Sequence, residues 1–118
     1  MLHSSGHNVE EHHNSTTVIY ITGPVFFGNA ERLSEQVLKE LSDSEVVIFS
    51  MRGVPMVDTT GTEVVLDLVK ACQIKGLTVI FSGLGETVRK RLDSTGLSDL
   101  ISEDSYFISV DRALLAMS

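Results

Sequence analysis

Asp58-Thr59-Thr60-Gly61 sets a carboxylate, two hydroxyls and a pliable backbone position in a row, just ahead of the apolar run that begins at Val64. At the start of a helix such residues do one of two things. They cap it: Asp58 or Thr59 can accept from the unpaired first-turn N–H groups, and Thr60 followed three places later by Glu63 matches a capping box. Alternatively, one hydroxyl accepts a phosphoryl group, which adds about −1.5 to −2 charges. Thr59 is the first candidate for that role and Thr60 the second. Gly61 lies inside the first turn, where glycine costs roughly 0.5–1 kcal/mol against alanine. A group approaching the backbone closely would account for it. Val54, Pro55 and Met56 make an apolar lip beside the threonines, so Asp58, Gly61, Val54 and Met56 form the expected partner or anion surface. A phosphate at a helix N-terminus is locally favourable by roughly 0.3–1 kcal/mol. Desolvating it beneath a bound partner costs several kcal/mol. The larger effect wins, so modification at Thr59 would act on binding rather than on the conformation of the domain.

Other chemistry-bearing residues are less demanding. Gly83 and Gly85 form a partial G-x-G-x-x-G, with Glu103 and Asp104 about twenty residues on, but Val88 replaces the third glycine. An ordinary strand-to-helix turn explains them, and a weak nucleotide or anion contact is the alternative. Arg89-Lys90-Arg91 is the one basic cluster, either a solvated helix face or a docking point for an acidic partner or lipid headgroups. His3, His7, His12 and His13 accompany Glu10 and Glu11 in the first fifteen residues, which carry almost no apolar pattern. A metal site needs ligands held at fixed geometry, so these read as a polar tail and no metal is expected. Cys72 falls on the apolar stripe of its helix, and no histidine follows His13 to serve it as a base. With no phosphate-binding lysine loop, metal-spaced ligand set or nucleophile elbow, the chain reads as a non-enzyme without a cofactor.

The elements that position these residues follow from periodicity. Residues 1–15 read as a disordered lead-in or linker. Residues 16–22, "TTVIYIT", are β-branched and alternating, a strand; Gly23-Pro24 breaks it, and "VFF" at 25–27 looks like a second short one. Ala30, Leu33, Val37 and Leu41 repeat on one face of a helix that Asn29 could cap. "EVVIFSM", 45–51, is the nearly continuous apolar run of a strand covered on both faces. The helix from Thr59 buries Val64, Val65, Leu68, Ala71 and Cys72 and ends at Lys75-Gly76. "LTVIFS", 77–82, is another buried strand, followed by a helix closed by Gly96, packing residues Leu97, Leu100 and Ile101, a strand at 106–109 and a last short helix. Strands alternating with helices mean βαβ units and a mostly parallel sheet, with an antiparallel edge possible at the opening strand pair.

Composition sets the outer bounds. The 118 residues suit one domain. Sixteen acids against nine bases give a net charge of −7, which argues against nucleic acid and against an anionic membrane surface. A single cysteine allows no internal disulfide. No stretch approaches the ~18–20 apolar residues of a membrane span.

Asp58-Thr59-Thr60-Gly61, the amphipathic helix behind it, Lys75-Gly76 and the strand "LTVIFSG" together resemble the STAS domain, as do "RKRLDSTGLSDLI" and "FISVDRALLAM" further on. The resemblance covers about residues 16 to 118. It implies a single α/β domain of the anti-sigma-antagonist-like type, with a mostly parallel four- to five-stranded sheet and about four helices. In bacterial anti-sigma-factor antagonists the phosphorylated serine directly follows the aspartate, and that position here is Thr59, a threonine in place of the usual serine. "ITGPVFFGNAERL", residues 21–33, is similar to the start of STAS domains at the cytoplasmic C-terminus of SulP-type anion transporters, including sulfate permeases. The resemblance therefore implies a regulatory and interaction domain of such a transporter, at the cytoplasmic face of the inner membrane, with residues 1–15 as the linker from the last span. The partners it implies are the membrane domain of the same protein, an acyl carrier protein or a kinase or anti-sigma-like protein, and a weakly held nucleotide or anion. A stand-alone, phosphorylation-controlled anti-sigma-factor antagonist is the alternative.

Overall fold

The structure is a computed structural model that describes the backbone of residues 7–13 together with residues 15–25, 28–41 and 44–117. Its centre is one five-stranded sheet in sequence order: β1 (His7–His13), β2 (Thr16–Thr22), β3 (Val46–Gly53), β4 (Thr78–Ser82) and β5 (Tyr106–Phe107). β1 runs antiparallel to β2, and the remaining neighbours are parallel. Helices α1 (Ala30–Lys39), α2 (Thr59–Ile74), α3 (Glu86–Thr95) and α4 (Leu97–Leu100) fill the crossovers, and α5 (Val110–Ala116) follows the last strand.

The strand order explains the layers. Each parallel step moves the same way across the sheet, and right-handed crossovers then place every connecting helix on one face. That face carries the main core. Ile19, Ile21, Val47, Phe49, Met51, Val79 and Phe81 point into it from the sheet. Leu33 and Val37 of α1, Val65, Leu68, Val69 and Cys72 of α2, and Val88 and Leu92 of α3 meet them. Phe49 and Phe81 touch in a tilted pair with centroids 5.4 Å apart. Among the described residues, α5 is the helix on the opposite face, where it seals a small cluster of Val18, Ile48, Ile80 and Ala113. Alternation along β2–β4 sends odd and even positions to these two faces, so the strand interiors are buried on both sides.

Local signals account for most element ends. Gly76 takes φ +88 just past α2, and Leu77 N–H returns to Cys72 C=O at 3.0 Å, a Schellman-type stop. Gly96 closes α3 at φ +136. Asn29 stands at the N-cap position of α1, but its side chain makes no cap; its amide donates back to Pro24 C=O at 3.0 Å.

The main correction concerns the N-terminus. Residues 7–13 are a paired strand, with His7 opposite Thr22 and His13 opposite Thr16, rather than a disordered lead-in. Ladder hydrogen bonds come from backbone groups and need no particular side chains. With Val9 its one apolar residue, this edge strand carries no hydrophobic alternation to betray it. The antiparallel edge thus lies before residue 16. Of the strand expected at 25–27, Val25 makes a single bridge to Val57, and residues 26 and 27 lie outside the described residues. The strand expected at 106–109 stops at Phe107 because Ser109 caps α5, its hydroxyl accepting from Arg112 N–H at 3.2 Å.

Candidate functional site

The loop leaving β3 runs from Val54 to Asp58 and enters α2. Its backbone is pinned from one side by Val25, whose N–H donates to Met56 C=O at 3.0 Å and whose C=O accepts from Asp58 N–H at 3.1 Å. Asp58 is the N-cap in extended conformation, φ −93 and ψ −176, and its carboxylate accepts from Gly61 N–H at 2.6 Å. The Thr62 hydroxyl donates to Asp58 C=O at 2.8 Å and is buried. The cap is therefore made without Thr59 or Thr60, and the capping box of Thr60 with Glu63 does not form. Helical geometry starts at Thr59, which puts Thr60 in the second helical position rather than at the cap. Thr59 is exposed and Thr60 half-buried, and neither hydroxyl has a hydrogen-bond partner among the described residues.

The surface expected around the threonines splits in two. Met56 is 44% exposed and Pro55 is exposed, so part of the apolar lip exists. Val54 is buried in the main core, because the loop turns inward between Met51 and Val57. Gly61 is also buried. A Cβ there would stand 2.4 Å from Val25 C=O oxygen, so the group approaching the helix backbone is the protein's own main chain and not a partner. Asp58 is half-buried with its carboxylate directed at the helix.

The Gly83–Gly85 turn sits elsewhere, at the end of β4. Gly83 needs to be glycine: its φ is +70, and a Cβ would meet Arg52 Cβ at 3.0 Å. Gly85 opens α3, and nothing lies within 4 Å of where a Cβ would stand. The next residue is Glu86, a carboxylate at the position where a dinucleotide fold receives phosphate. The basic cluster resolves mostly into internal ties. Arg89 donates to Glu103 at 2.7 Å and to Asp93 at 3.2 Å, and its guanidinium lies 3.7 Å from the centre of the Tyr106 ring. These bonds, with Glu103 first, raise its already high pKa. Tyr106 donates to Asp93 at 2.8 Å, and burial together with that bond pushes its phenol well above the ordinary value. Lys90 pairs loosely with Glu86 at 3.8 Å, and Arg91 is exposed. Cys72 is fully buried, and burial pushes its thiol up to about 11, the reverse of what a nucleophile needs.

Three residues outside the expected set stand out. Tyr20, Ser50 and Ser82 are register partners across β2, β3 and β4, a polar row on the α5 face. A hydroxyl recurring at the same place in "VVIFSM" and "TVIFS", two otherwise apolar strands, was the available signal. Among the described residues, no helix is long and apolar enough to cross a membrane.

The STAS domain family model matches residues 8–113. High affinity sulfate transporter 1 of Stylosanthes hamata is 27% identical over 109 residues, covering 82% of this chain and 16% of that protein. The chain thus spans about a sixth to a fifth of the length of the curated relatives it matches. The crystal structure of a sulfate transporter family protein from Wolinella succinogenes superposes with a TM-score of 0.77 at 29% identity, covering 87% of this chain and 84% of that one. An anti-sigma factor antagonist from Mycobacterium paratuberculosis shares the fold, with a TM-score of 0.73 at 17% identity over 92% of this chain and 91% of that one. With that match, a mostly parallel sheet in sequence order, helices α1–α4 on one face and the Asp-Thr-Thr-Gly turn entering α2, the chain belongs to the STAS domain family.

Proposed function

We propose that this chain is the regulatory and interaction domain of a SulP-type sulfate or anion transporter, acting at the cytoplasmic face of the membrane and switched by phosphorylation at Thr59. It is a binding module rather than a catalyst. The observation that carries the switch is the state of the Thr59 hydroxyl. It is exposed and without a partner among the described residues, because Asp58 already makes the cap. A hydroxyl that does no structural work can be modified without loosening the fold. The likeness to sulfate transporters across most of this chain supports the transporter context. The membrane domain of the same protein is the first partner. Exposed Met56 and Pro55 offer it an apolar contact, with an acyl carrier protein or a kinase as further candidates. A phosphate beside that contact has to be desolvated when the partner covers it, so it opposes association.

The test is sulfate uptake by the full-length transporter carrying Thr59→Glu, alongside Thr59→Ala. We expect Thr59→Glu to lower transport while the isolated domain keeps its stability within about 0.5 kcal/mol. Wild-type uptake from both variants would remove the switch. The second reading, a free-standing anti-sigma-factor antagonist, draws on the same free hydroxyl directly after Asp58. A gene in which no hydrophobic spans precede this domain, with a kinase that modifies Thr59, would favour it.

A further inference from the structure

The α5 face of the sheet carries a second polar site that neither reading of Thr59 uses. At the carboxyl ends of β3 and β4, beyond the rim of α5, lies a pocket of about 190 Å³ lined by Tyr20, Ser50, Arg52, Ser82, Ile108 and Asp111. Arg52, Gly83 and Ile108 are shared with a more open groove of about 480 Å³ that continues over β5 towards Arg89. In open α/β sheets this end is where ligands meet the fold.

Two features of the pocket are unexplained by folding. Ser82 is 0% exposed and its hydroxyl has no hydrogen-bond partner among the described residues. Buried hydroxyls are nearly always satisfied, and Ser82, which lines the pocket, carries a donor without an acceptor. Ser50 stands beside it in register and is also buried. The other feature is Arg52. In a chain of net charge −7 its guanidinium is exposed at the pocket wall, with no ion pair among the described residues. A Cβ at Gly83 would stand 3.2 Å from the Arg52 backbone, so the glycine lets the end of β4 lie close to the end of β3, where Arg52 shares the pocket with Ser50 and Ser82.

We infer that this pocket binds a small tetrahedral oxyanion, sulfate or phosphate, through the Arg52 guanidinium and the Ser50 and Ser82 hydroxyls. An oxyanion offers several acceptor oxygens, which suits one forked cation and two hydroxyl donors. Asp111, exposed at the rim, opposes the ligand's charge and limits affinity. The site is separate from Thr59, so it can stand or fall without the transporter switch.

The experiment is an amide NMR titration of the whole chain with sodium sulfate and with sodium phosphate, against sodium chloride at matched ionic strength. Saturable shifts centred on Ser50, Arg52, Ser82 and Gly83 are expected with an oxyanion and not with chloride; the tighter of the two identifies the source. Arg52→Gln should weaken binding about tenfold. Ser82→Ala should weaken it too, while raising thermal stability by removing an unsatisfied group. Asp111→Asn should tighten it, and Arg91→Gln, on an exposed cation outside the pocket, should leave it within about twofold. Shifts matching those of chloride, saturation that survives Arg52→Gln, or a stability gain in Ser82→Ala with unchanged binding would each overturn the assignment.

Discussion

At the scale of single residues, the Asp-Thr-Thr-Gly turn divides its labour sharply. Asp58 holds the helix, Gly61 makes room for Val25, and Thr59 does neither. Asp58→Ala should cost about 1 kcal/mol, within the usual range for a lost N-cap, because Gly61 N–H loses its 2.6 Å acceptor. Thr60→Ala should cost less than about 0.5 kcal/mol, as for a surface position without a special contact. Urea denaturation of the two variants checks the ranking, and equal losses would contradict the assignment of the cap to Asp58 alone. Gly61→Ala is the severe change. Its methyl would sit 2.4 Å from a backbone oxygen that cannot rotate away, so α2 has to shift off Val25. A loss of about 1–3 kcal/mol is expected from such overpacking, read as a fall in midpoint at unchanged slope. The sequence made the glycine visible as a position needing a reason. It could not name the reason, since Val25 is thirty-six residues away and meets Gly61 only after the chain has folded.

At the scale of elements, β1 is the piece most dependent on context. It covers the backbone edge of β2, whose Thr17, Val18 and Ile19 are fully buried. Removing residues 1–14 would uncover that row of N–H and C=O groups. An open strand edge invites pairing with another copy. The truncated chain should therefore unfold at a lower temperature than the full one and sediment as larger species at high concentration. A monomer of unchanged midpoint would show that β1 contributes nothing to the sheet. The helices, by contrast, were largely legible: Ala30, Leu33 and Val37 of α1, and Val64, Val65, Leu68 and Cys72 of α2, are buried where the 3.6-residue period puts them, whereas Ala71 of the expected stripe is only half-buried and Leu66 and Val69 are buried outside it. Arg89 shows where that method stops. A run of three cations reads as one surface, yet Arg89 ties α3 to β5 through Tyr106 and Asp93, while Arg91 faces water.

At the scale of the whole molecule, Cys72 reports on global opening. It is fully buried, and its thiol, ordinarily at 9.0, is held at about 11 by burial, with Lys75 opposing weakly. A raised acid pKa means the folded state keeps a proton that the unfolded chain gives up. The stabilising contribution is thus complete below pH 9 and is lost as pH climbs through 11. The loss amounts to about 2–3 kcal/mol at the upper end of that interval, from roughly 1.4 kcal/mol per pKa unit. Denaturation at pH 8 and pH 10.5 should show the decline, and Cys72→Ala should flatten much of it. In native buffer at pH 8 the thiol should react with a disulfide reagent only as fast as the protein unfolds.

What the sequence by itself determined is everything governed by neighbours along the chain. That includes the alternation of strands and helices, the parallel sheet, the helix stops at Gly76 and Gly96, and the position of Thr59 at a helix tip. Short-range periodicity and turn chemistry are sufficient for these. The tertiary structure alone decided which side chains share a space. It buried Val54 and Gly61, gave the polar stretch at 7–13 a partner strand, and aligned Ser50 with Ser82 beside Arg52. Those outcomes depend on register between distant strands and on which face a crossover covers, and neither quantity is written in any local window of residues.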